Sequence, residues 1–216
     1  MNKRNYQKEM DALIERLVSE GRRPRLLLHV CCAVCASYVL EYLSPYFDIT
    51  IAYYNPNITQ ESEYRYRLSE LERYVREAGL SDRIGFTGVE YDPGSFFELV
   101  RGRENDREGG IRCGLCFEQR LGYTAALCKE GGYDYFATTL TVSPLKNSAR
   151  INEIGEKLAA VYSVNYLGSD FKKKEGYKRS IELSKQYDLY RQNYCGCVFS
   201  SKEAENRVKQ PLINSE

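Results

Sequence analysis

The sequence predicts an α/β protein: a Rossmann-like parallel sheet flanked by helices, with a helical addition at the C-terminal end. Segments with strand character alternate with segments of helical periodicity, which is typical of parallel sheets joined by right-handed crossovers. The first strand, at 26–30, is an uninterrupted apolar run, as expected for a strand that is covered on both faces. Strand signals become sparse in the second half of the chain, and this predicts the helical addition.

The first half of the chain supplies three of the predicted strands. Leu13, Ile14 and Leu17 recur at helical spacing, and Gly21 ends that helix. The second strand ends at Asn55-Pro56-Asn57, which is a turn signal. The predicted elements are a helix over 5–20, a strand over 26–30, a helix over 37–43, a strand over 48–54, a helix over 60–78, a strand over 83–89 and a helix over 95–100.

The second half begins with a polar loop that leads into a CxxC motif at Cys113. This motif opens a helix, which Gly131 and Gly132 end. The later elements follow from the same apolar periodicity. They are a helix over 113–130, a strand over 135–140, a helix over 148–161, an extended stretch over 165–167 and a helix over 177–187. After Cys197 we expect only a polar tail, frayed beyond about Lys209.

Composition indicates the cellular compartment, but it does not decide whether the protein binds nucleic acid. The 31 basic and 30 acidic residues nearly balance, so net charge neither favours nor excludes nucleic acid. No apolar run approaches the roughly 20 residues of a membrane helix, and the charged N-terminal segment lacks the apolar core of a secretion signal. We therefore expect a cytoplasmic protein without a membrane partner. Structural disulfides are rare there, so eight cysteines indicate metal ligation or redox chemistry.

Seven cysteines fall into three clusters, whereas Cys128 stands alone on an apolar helical stripe and is predicted to be a small buried residue. The first cluster lies where the first strand ends and its helix begins. In open α/β sheets, ligands bind at this edge. We therefore expect the clusters to converge on one crevice. They are Cys31, Cys32 and Cys35; Cys113 and Cys116; and Cys195 and Cys197.

Spacing alone leaves three chemistries open for these thiols. Seven cysteines are too many for one tetrahedral zinc, and adjacent cysteines are not a zinc-knuckle spacing. Iron–sulfur clusters take four thiolates with less regular spacing, which Cys31, Cys32, Cys113 and Cys116 could supply. A thiol–disulfide relay is the third possibility. Neither a Walker loop nor a GxGxxG motif follows the first strand, which counts against ATP or NAD at that position.

His29 is the sole histidine, and it lies within the first strand. The favoured interpretation is a core histidine whose ring nitrogens are hydrogen-bonded. The alternative is a donor to a metal-bound sulfur or a proton donor at the site.

Seven blocks of polar and cysteine-containing sequence are spread through most of the chain. They are Leu28 to Cys35; Tyr54 to Ile58 with Glu63, Tyr64 and Arg67; Tyr91-Asp92; Arg112 to Cys116 with Arg120-Leu121; Thr139-Leu140 with Ser143-Pro144 and Lys146; Asp170 to Lys173; and Leu189 to Cys197. Together and in this order, these blocks resemble those of the cobalamin-independent epoxyqueuosine reductases (QueH). A departure is Val34, where that family usually has proline, which removes no ligand.

The resemblance implies a tRNA-modifying oxidoreductase with a Rossmann-like core. It would reduce the epoxide of epoxyqueuosine in tRNA with two electrons, giving queuosine and water. It also implies a 4Fe-4S cluster next to a separately coordinated iron. The implied cluster ligands are Cys31, Cys32, Cys113 and Cys116. The second iron would take Cys195 and Cys197, with Cys35 or a carboxylate such as Asp92 or Asp170.

The implied partner is the tRNA anticodon loop, whose modified base would be splayed from the stack into the crevice. We also expect an external electron donor such as a ferredoxin or flavodoxin. Cys195 and Cys197 would act beside the substrate, and Tyr194 or Asp92 could donate protons. Asn55 and Asn57 could bind the base. The candidate phosphate contacts are Arg67, Arg120, Lys146, Lys172 and Arg191.

We expect one domain over 1–216, in which about 145–216 forms a helical subdomain that closes over the metal site. Two other functions are open: a zinc-stabilised RNA-binding module without catalysis, and a tRNA thiolation enzyme of similar core. The second would need a pyrophosphate loop after the first strand, where this chain has cysteines instead.

Overall fold

The computed structural model describes residues 4–209 as five strands and eight α-helices. The strands are β1 (Arg25–His29), β2 (Asp48–Ala52), β3 (Gly85–Thr87), β4 (Tyr135–Thr138) and β5 (Asn165–Tyr166). The helices are α1 (Tyr6–Ser19), α2 (Ala33–Leu43), α3 (Glu61–Glu77), α4 (Pro93–Leu99), α5 (Ile111–Glu130), α6 (Ser148–Tyr162), α7 (Gly176–Gln186) and α8 (Val198–Lys209).

The five strands form one parallel sheet in the order β3-β2-β1-β4-β5. At the carboxyl end of the central strand, His29 lies in register with Ala52 of β2 and Thr138 of β4. The segments that leave these three strands therefore emerge side by side at one edge. This arrangement confirms the predicted α/β class.

Helices cover both faces of the sheet, as the apolar run in β1 predicts. Leu26 and Leu28 pack into one core beneath α1, α2 and α3, and Leu27 packs into a second core beneath α5 and α6. All three leucines are fully buried. Burying such a side chain contributes about 1.5–3 kcal/mol, so the central strand is anchored from both sides.

The C-terminal part of the chain is mostly helical, as predicted, but β5 joins it to the sheet beside β4. α6 packs on α5, and α7 packs on α2. Among residues 4–209, no helix combines the length and the apolar character that crossing a lipid bilayer requires.

The expectation of a polar tail after Cys197 is wrong, because α8 begins at Val198. Its sequence is too polar to show a strong apolar stripe. The helix is tied instead to the start of α5, where Arg112 pairs with Glu203 at 3.3 Å, and to the segment before α5, where Glu108 pairs with Arg207 at 3.1 Å. The fraying predicted beyond Lys209 lies outside the described residues.

Candidate metal centre

Seven of the eight cysteines line two adjoining cavities at the carboxyl edge of the sheet, as the sequence predicts. The larger cavity has a volume of about 270 Å³ and the smaller about 120 Å³. Cys128 lies elsewhere, fully buried in the core, which confirms its prediction. The larger cavity is lined by Cys31, Cys32, Cys35 and Cys195, and the smaller by Cys113, Cys116, Cys195 and Cys197.

The first cluster is held together by the turn from β1 into α2. Cys32 is the N-cap residue of α2 and Cys35 lies in its first turn. The Sγ atoms of Cys31, Cys32 and Cys35 all lie within 4.8 Å of one another, and those of Cys31 and Cys32 are 3.9 Å apart. Hydrogen bonds from the Cys32 and Cys35 thiols lower the pKa of Cys31 well below its usual range, so this group favours a thiolate.

The second and third clusters face each other across the smaller cavity. Cys113 and Cys116 lie in the first two turns of α5, and the Gly109 amide donates to Cys113 Sγ at 3.2 Å. Cys195 and Cys197 precede α8, with their Sγ atoms 3.6 Å apart. The Cys197 thiol lowers the pKa of Cys195 to about 5. Each side of the cavity therefore offers a close pair of sulfurs.

Arg67 holds the loop that carries Cys195. Its side chain is 1% exposed and pairs with Glu63 at 2.7 Å. It donates to the carbonyl oxygens of Cys195 at 3.1 Å and Tyr194 at 3.4 Å, and its guanidinium lies 5.2 Å from the centre of the Tyr194 ring. Asn57 adds a longer bond to the Cys195 carbonyl, at 3.4 Å. The structure thus brings Arg67, Asn57 and Tyr194 to the site as supports of the CxC loop.

Three other predicted residues line the cavities. Arg120 and Lys146 line both of them, and Arg191 is exposed at the rim of the larger one. Arg120 is 2% exposed. Lys146 is half-buried. The walls of both cavities therefore carry positive charge beside the cysteine sulfurs.

Five predicted residues do not line either cavity, namely Asn55, Asn57, Asp92, Asp170 and Lys172. Asp92 caps α4, where its side chain accepts from the Ser95 amide at 3.3 Å. Lys172 pairs with Asp170 at 2.9 Å. Asn55 is fully buried, donates to the Val30 carbonyl at 2.9 Å and accepts from Arg120 at 2.8 Å. Because both amide groups of Asn55 are bonded within the protein, the arrangement does not present it to a base.

His29 has the role that the sequence favoured, a core histidine with both ring nitrogens bonded. Nδ1 lies 2.9 Å from Thr138 Oγ1, and Nε2 accepts from Arg120 Nε at 3.2 Å. Since an arginine can only donate, the proton of the neutral ring lies on Nδ1. Burial, with the charge of Arg120, lowers the pKa of His29 to about 3.

Sequence reasoning missed Glu108, the only carboxylate among the residues that line the two cavities. Its side chain accepts from Ser200 Oγ at 3.3 Å and from Arg207 at 3.1 Å. Ser200 Oγ in turn accepts from the Cys195 amide at 3.2 Å. One signal could have indicated that Glu108 lies near the cysteines, namely the position of the polar segment 101–112 directly before the CxxC motif. The helix that this segment contacts, α8, was not foreseen.

The thiol groups fit a soft metal centre. Buried thiolates are the ligands that iron–sulfur clusters and zinc prefer, and several thiolates on one centre leave excess negative charge. Arg67, Arg120 and Lys146 lie where they can offset that charge. The fold and the site together define an α/β protein with a cysteine-lined centre at the carboxyl edge of its sheet and with Arg67, Arg120 and Lys146 in the walls of that centre.

Comparison with known proteins identifies the family. The family model described as epoxyqueuosine reductase QueH matches residues 26–203, and the chain belongs to this family. It is 45% identical to the epoxyqueuosine reductase QueH of Streptococcus pyogenes serotype M1 over 200 residues, which cover 92% of this chain and 78% of the relative. It is 43% identical to that of Staphylococcus epidermidis over 212 residues, covering 95% of this chain and 88% of the relative.

A more distant relative supports the same family assignment. The epoxyqueuosine reductase QueH of Thermotoga maritima is 34% identical over 182 residues, covering 84% of this chain and 93% of the relative. The resemblance stated from the sequence is thereby confirmed, and so is the expectation of an oxidoreductase.

Proposed function

We propose that this chain reduces epoxyqueuosine in tRNA to queuosine. The reaction breaks both C–O bonds of the epoxide, forms a C=C bond, and consumes two electrons and two protons to release water. The observation that carries the proposal is the convergence of seven cysteines on two cavities whose walls also carry Arg67, Arg120 and Lys146. Family membership supports the substrate.

We further propose that the cysteines hold a 4Fe-4S cluster and an adjacent iron. Such a centre, when bound, supplies the electrons. Cys31, Cys32, Cys113 and Cys116 would hold the cluster, and Cys195 and Cys197 the second iron. Cys35 lies in the same group of sulfurs as Cys31 and Cys32, within 4.8 Å. It is the remaining thiol that either metal could recruit, whereas Asp92 and Asp170 have other partners.

The chain itself would position the substrate. The modified nucleotide must leave the stack of the anticodon loop to reach the larger cavity. Lys146 at the cavity and Arg191 at its rim can contact the flanking phosphates, while the buried Arg67 keeps the CxC loop in place. The side chain of Tyr194 also lines this cavity and would orient the epoxide oxygen. The electrons would come from a small redox protein such as a ferredoxin or flavodoxin.

Two cysteine variants test the division of ligands. Cys113→Ala should abolish the visible absorption of the cluster in anaerobically purified protein. Cys195→Ala should keep most of that absorption and the sulfide content while turnover is lost. Equal loss of iron and sulfide in both variants would contradict the two-centre assignment.

Metal analysis of the wild-type protein separates the competing functions. Iron with acid-labile sulfide supports the reductase. Colourless protein with stoichiometric zinc would favour the zinc-stabilised RNA-binding module, and sulfur incorporation into tRNA that requires ATP would favour the thiolation enzyme.

A further inference from the structure

Arg120 is the cation most closely tied to the thiol groups, and its surroundings hold it in one position. The side chain leaves α5 between the two cavities and is 2% exposed. Nη1 lies 3.9 Å from Cys116 Sγ. Nε donates to His29 Nε2 at 3.2 Å, and Nη2 donates to Asn55 Oδ1 at 2.8 Å. The planar guanidinium is therefore fixed by contacts on three sides.

Arg120 forms no ion pair with a carboxylate within residues 4–209. The other two buried arginines are each paired with a glutamate, Arg67 with Glu63 and Arg112 with Glu203. The ion pairs found among residues 4–209 do not include Arg120, and its two hydrogen-bond acceptors are a neutral imidazole and a neutral amide. A buried cation is costly unless an opposite charge lies nearby. The sulfur of Cys116 is the group in contact that can carry that charge.

We propose that Arg120 is the fixed counter-cation of the thiolate centre and that it raises the reduction potential of the cluster. This inference rests on the proposed function, since it assumes that a cluster is bound. One-electron reduction adds negative charge to the cluster, and a nearby buried cation stabilises the reduced form more than the oxidised form. The inference also explains why a residue that seemed suited to phosphate is turned away from solvent.

The test is the midpoint potential of the cluster in anaerobically purified protein, measured by a dye-mediated titration with dithionite and followed by visible absorption. Arg120→Gln should lower the equilibrium constant for reduction by at least about tenfold, which is about 59 mV for one electron. Arg120→Lys keeps a positive charge and should shift the potential less. Arg191→Gln is the matched control: it removes an exposed cation at the rim, where solvent screens the charge, and should leave the potential unchanged.

Iron and sulfide content show whether a variant has assembled the cluster, and they decide the outcome where it has not. If Arg120→Gln loses the cluster while Arg120→Lys keeps it, the charge is required and the inference stands. If both variants lose it, Arg120 acts through shape and packing, and the inference is wrong. An Arg120→Gln protein that contains the cluster but has the wild-type midpoint potential would also overturn the inference. A wild-type protein without any cluster would instead refute the proposed cofactor, which is a separate result.

Discussion

Arg67→Met should destabilise the protein strongly, whereas Arg65→Met should not. Both arginines lie on α3 and pair with the glutamate four residues earlier, at 2.7 Å for Arg67 with Glu63 and 2.6 Å for Arg65 with Glu61. Their exposure differs. The side chains of Arg67 and Glu63 are 1% and 12% exposed, and those of Arg65 and Glu61 are 69% and 52% exposed. The two ion pairs therefore have the same spacing and similar distances, and they differ in burial.

The expected magnitudes follow from that exposure. Removing one partner of a buried pair costs about 3–5 kcal/mol, because the other charge stays buried. An exposed helical pair contributes about 0.3–0.5 kcal/mol. Glu63 would retain bonds from the Tyr190 hydroxyl, at 3.3 Å to each oxygen. We therefore expect Arg67→Met to lower the free energy of unfolding by about 3 kcal/mol and Arg65→Met by less than about 0.5 kcal/mol.

Urea unfolding followed by circular dichroism measures both changes in protein handled anaerobically. A double-mutant cycle isolates the interaction energy of Arg67 with Glu63. In a Glu63→Gln background, Arg67→Met no longer leaves a buried carboxylate without its partner. Its cost should then fall by at least about 1 kcal/mol. Equal losses for Arg67→Met and Arg65→Met would refute the reasoning, as would a cost that is unchanged by Glu63→Gln.

Four further substitutions probe helix packing, the metal content and the C-terminal helix. Gly155→Ala should lower the free energy of unfolding, measured by thermal denaturation, by about 1–3 kcal/mol, because the new Cβ would collide with the Tyr166 ring. Gly122→Ala has room for the new methyl group and should raise the free energy of unfolding by about 0.5–1 kcal/mol. A larger loss for Gly122→Ala than for Gly155→Ala would contradict this packing argument. Cys128→Ala should leave iron content at the wild-type value, since this thiol lies outside both cavities, and a loss of iron would show otherwise. Arg112→Met should lower hydrogen-exchange protection in α8 by about tenfold or more, and unchanged protection would mean that the helix does not depend on this contact.

The fold was predictable because its signals are local. The apolar run of β1 and the alternation of strands with helices determine a parallel sheet, and sheet topology then places the residues after β1, β2 and β4 at one edge. Cys31 follows β1 directly, and Cys113 lies at the N-terminus of α5, the helix that leads into β4, so both clusters could be expected at this edge. The last cluster, Cys195 with Cys197, does not follow a strand, and we expected it at the same crevice only because further cysteines are needed to complete a metal site there.

The remaining features depend on distant contacts that leave little local signal. α8 is too polar to show a strong apolar stripe, and it is tied to Arg112 and Glu108, which lie 91 and 99 positions before their partners in the helix. Arg120 and Asn55 have the polar chemistry of tRNA contacts, but the structure buries both and bonds them to each other. A sequence shows which groups a side chain carries, and only the packed structure shows which of them are already used.

Anaerobic turnover of epoxyqueuosine-containing tRNA tests the central claim most directly. Purified protein would be reduced with dithionite, incubated with that tRNA, and the nucleosides analysed by mass spectrometry. The account predicts conversion of epoxyqueuosine to queuosine, with the loss of one oxygen atom, and no conversion by Cys195→Ala. Iron-loaded, reduced wild-type protein that leaves epoxyqueuosine unchanged would contradict it.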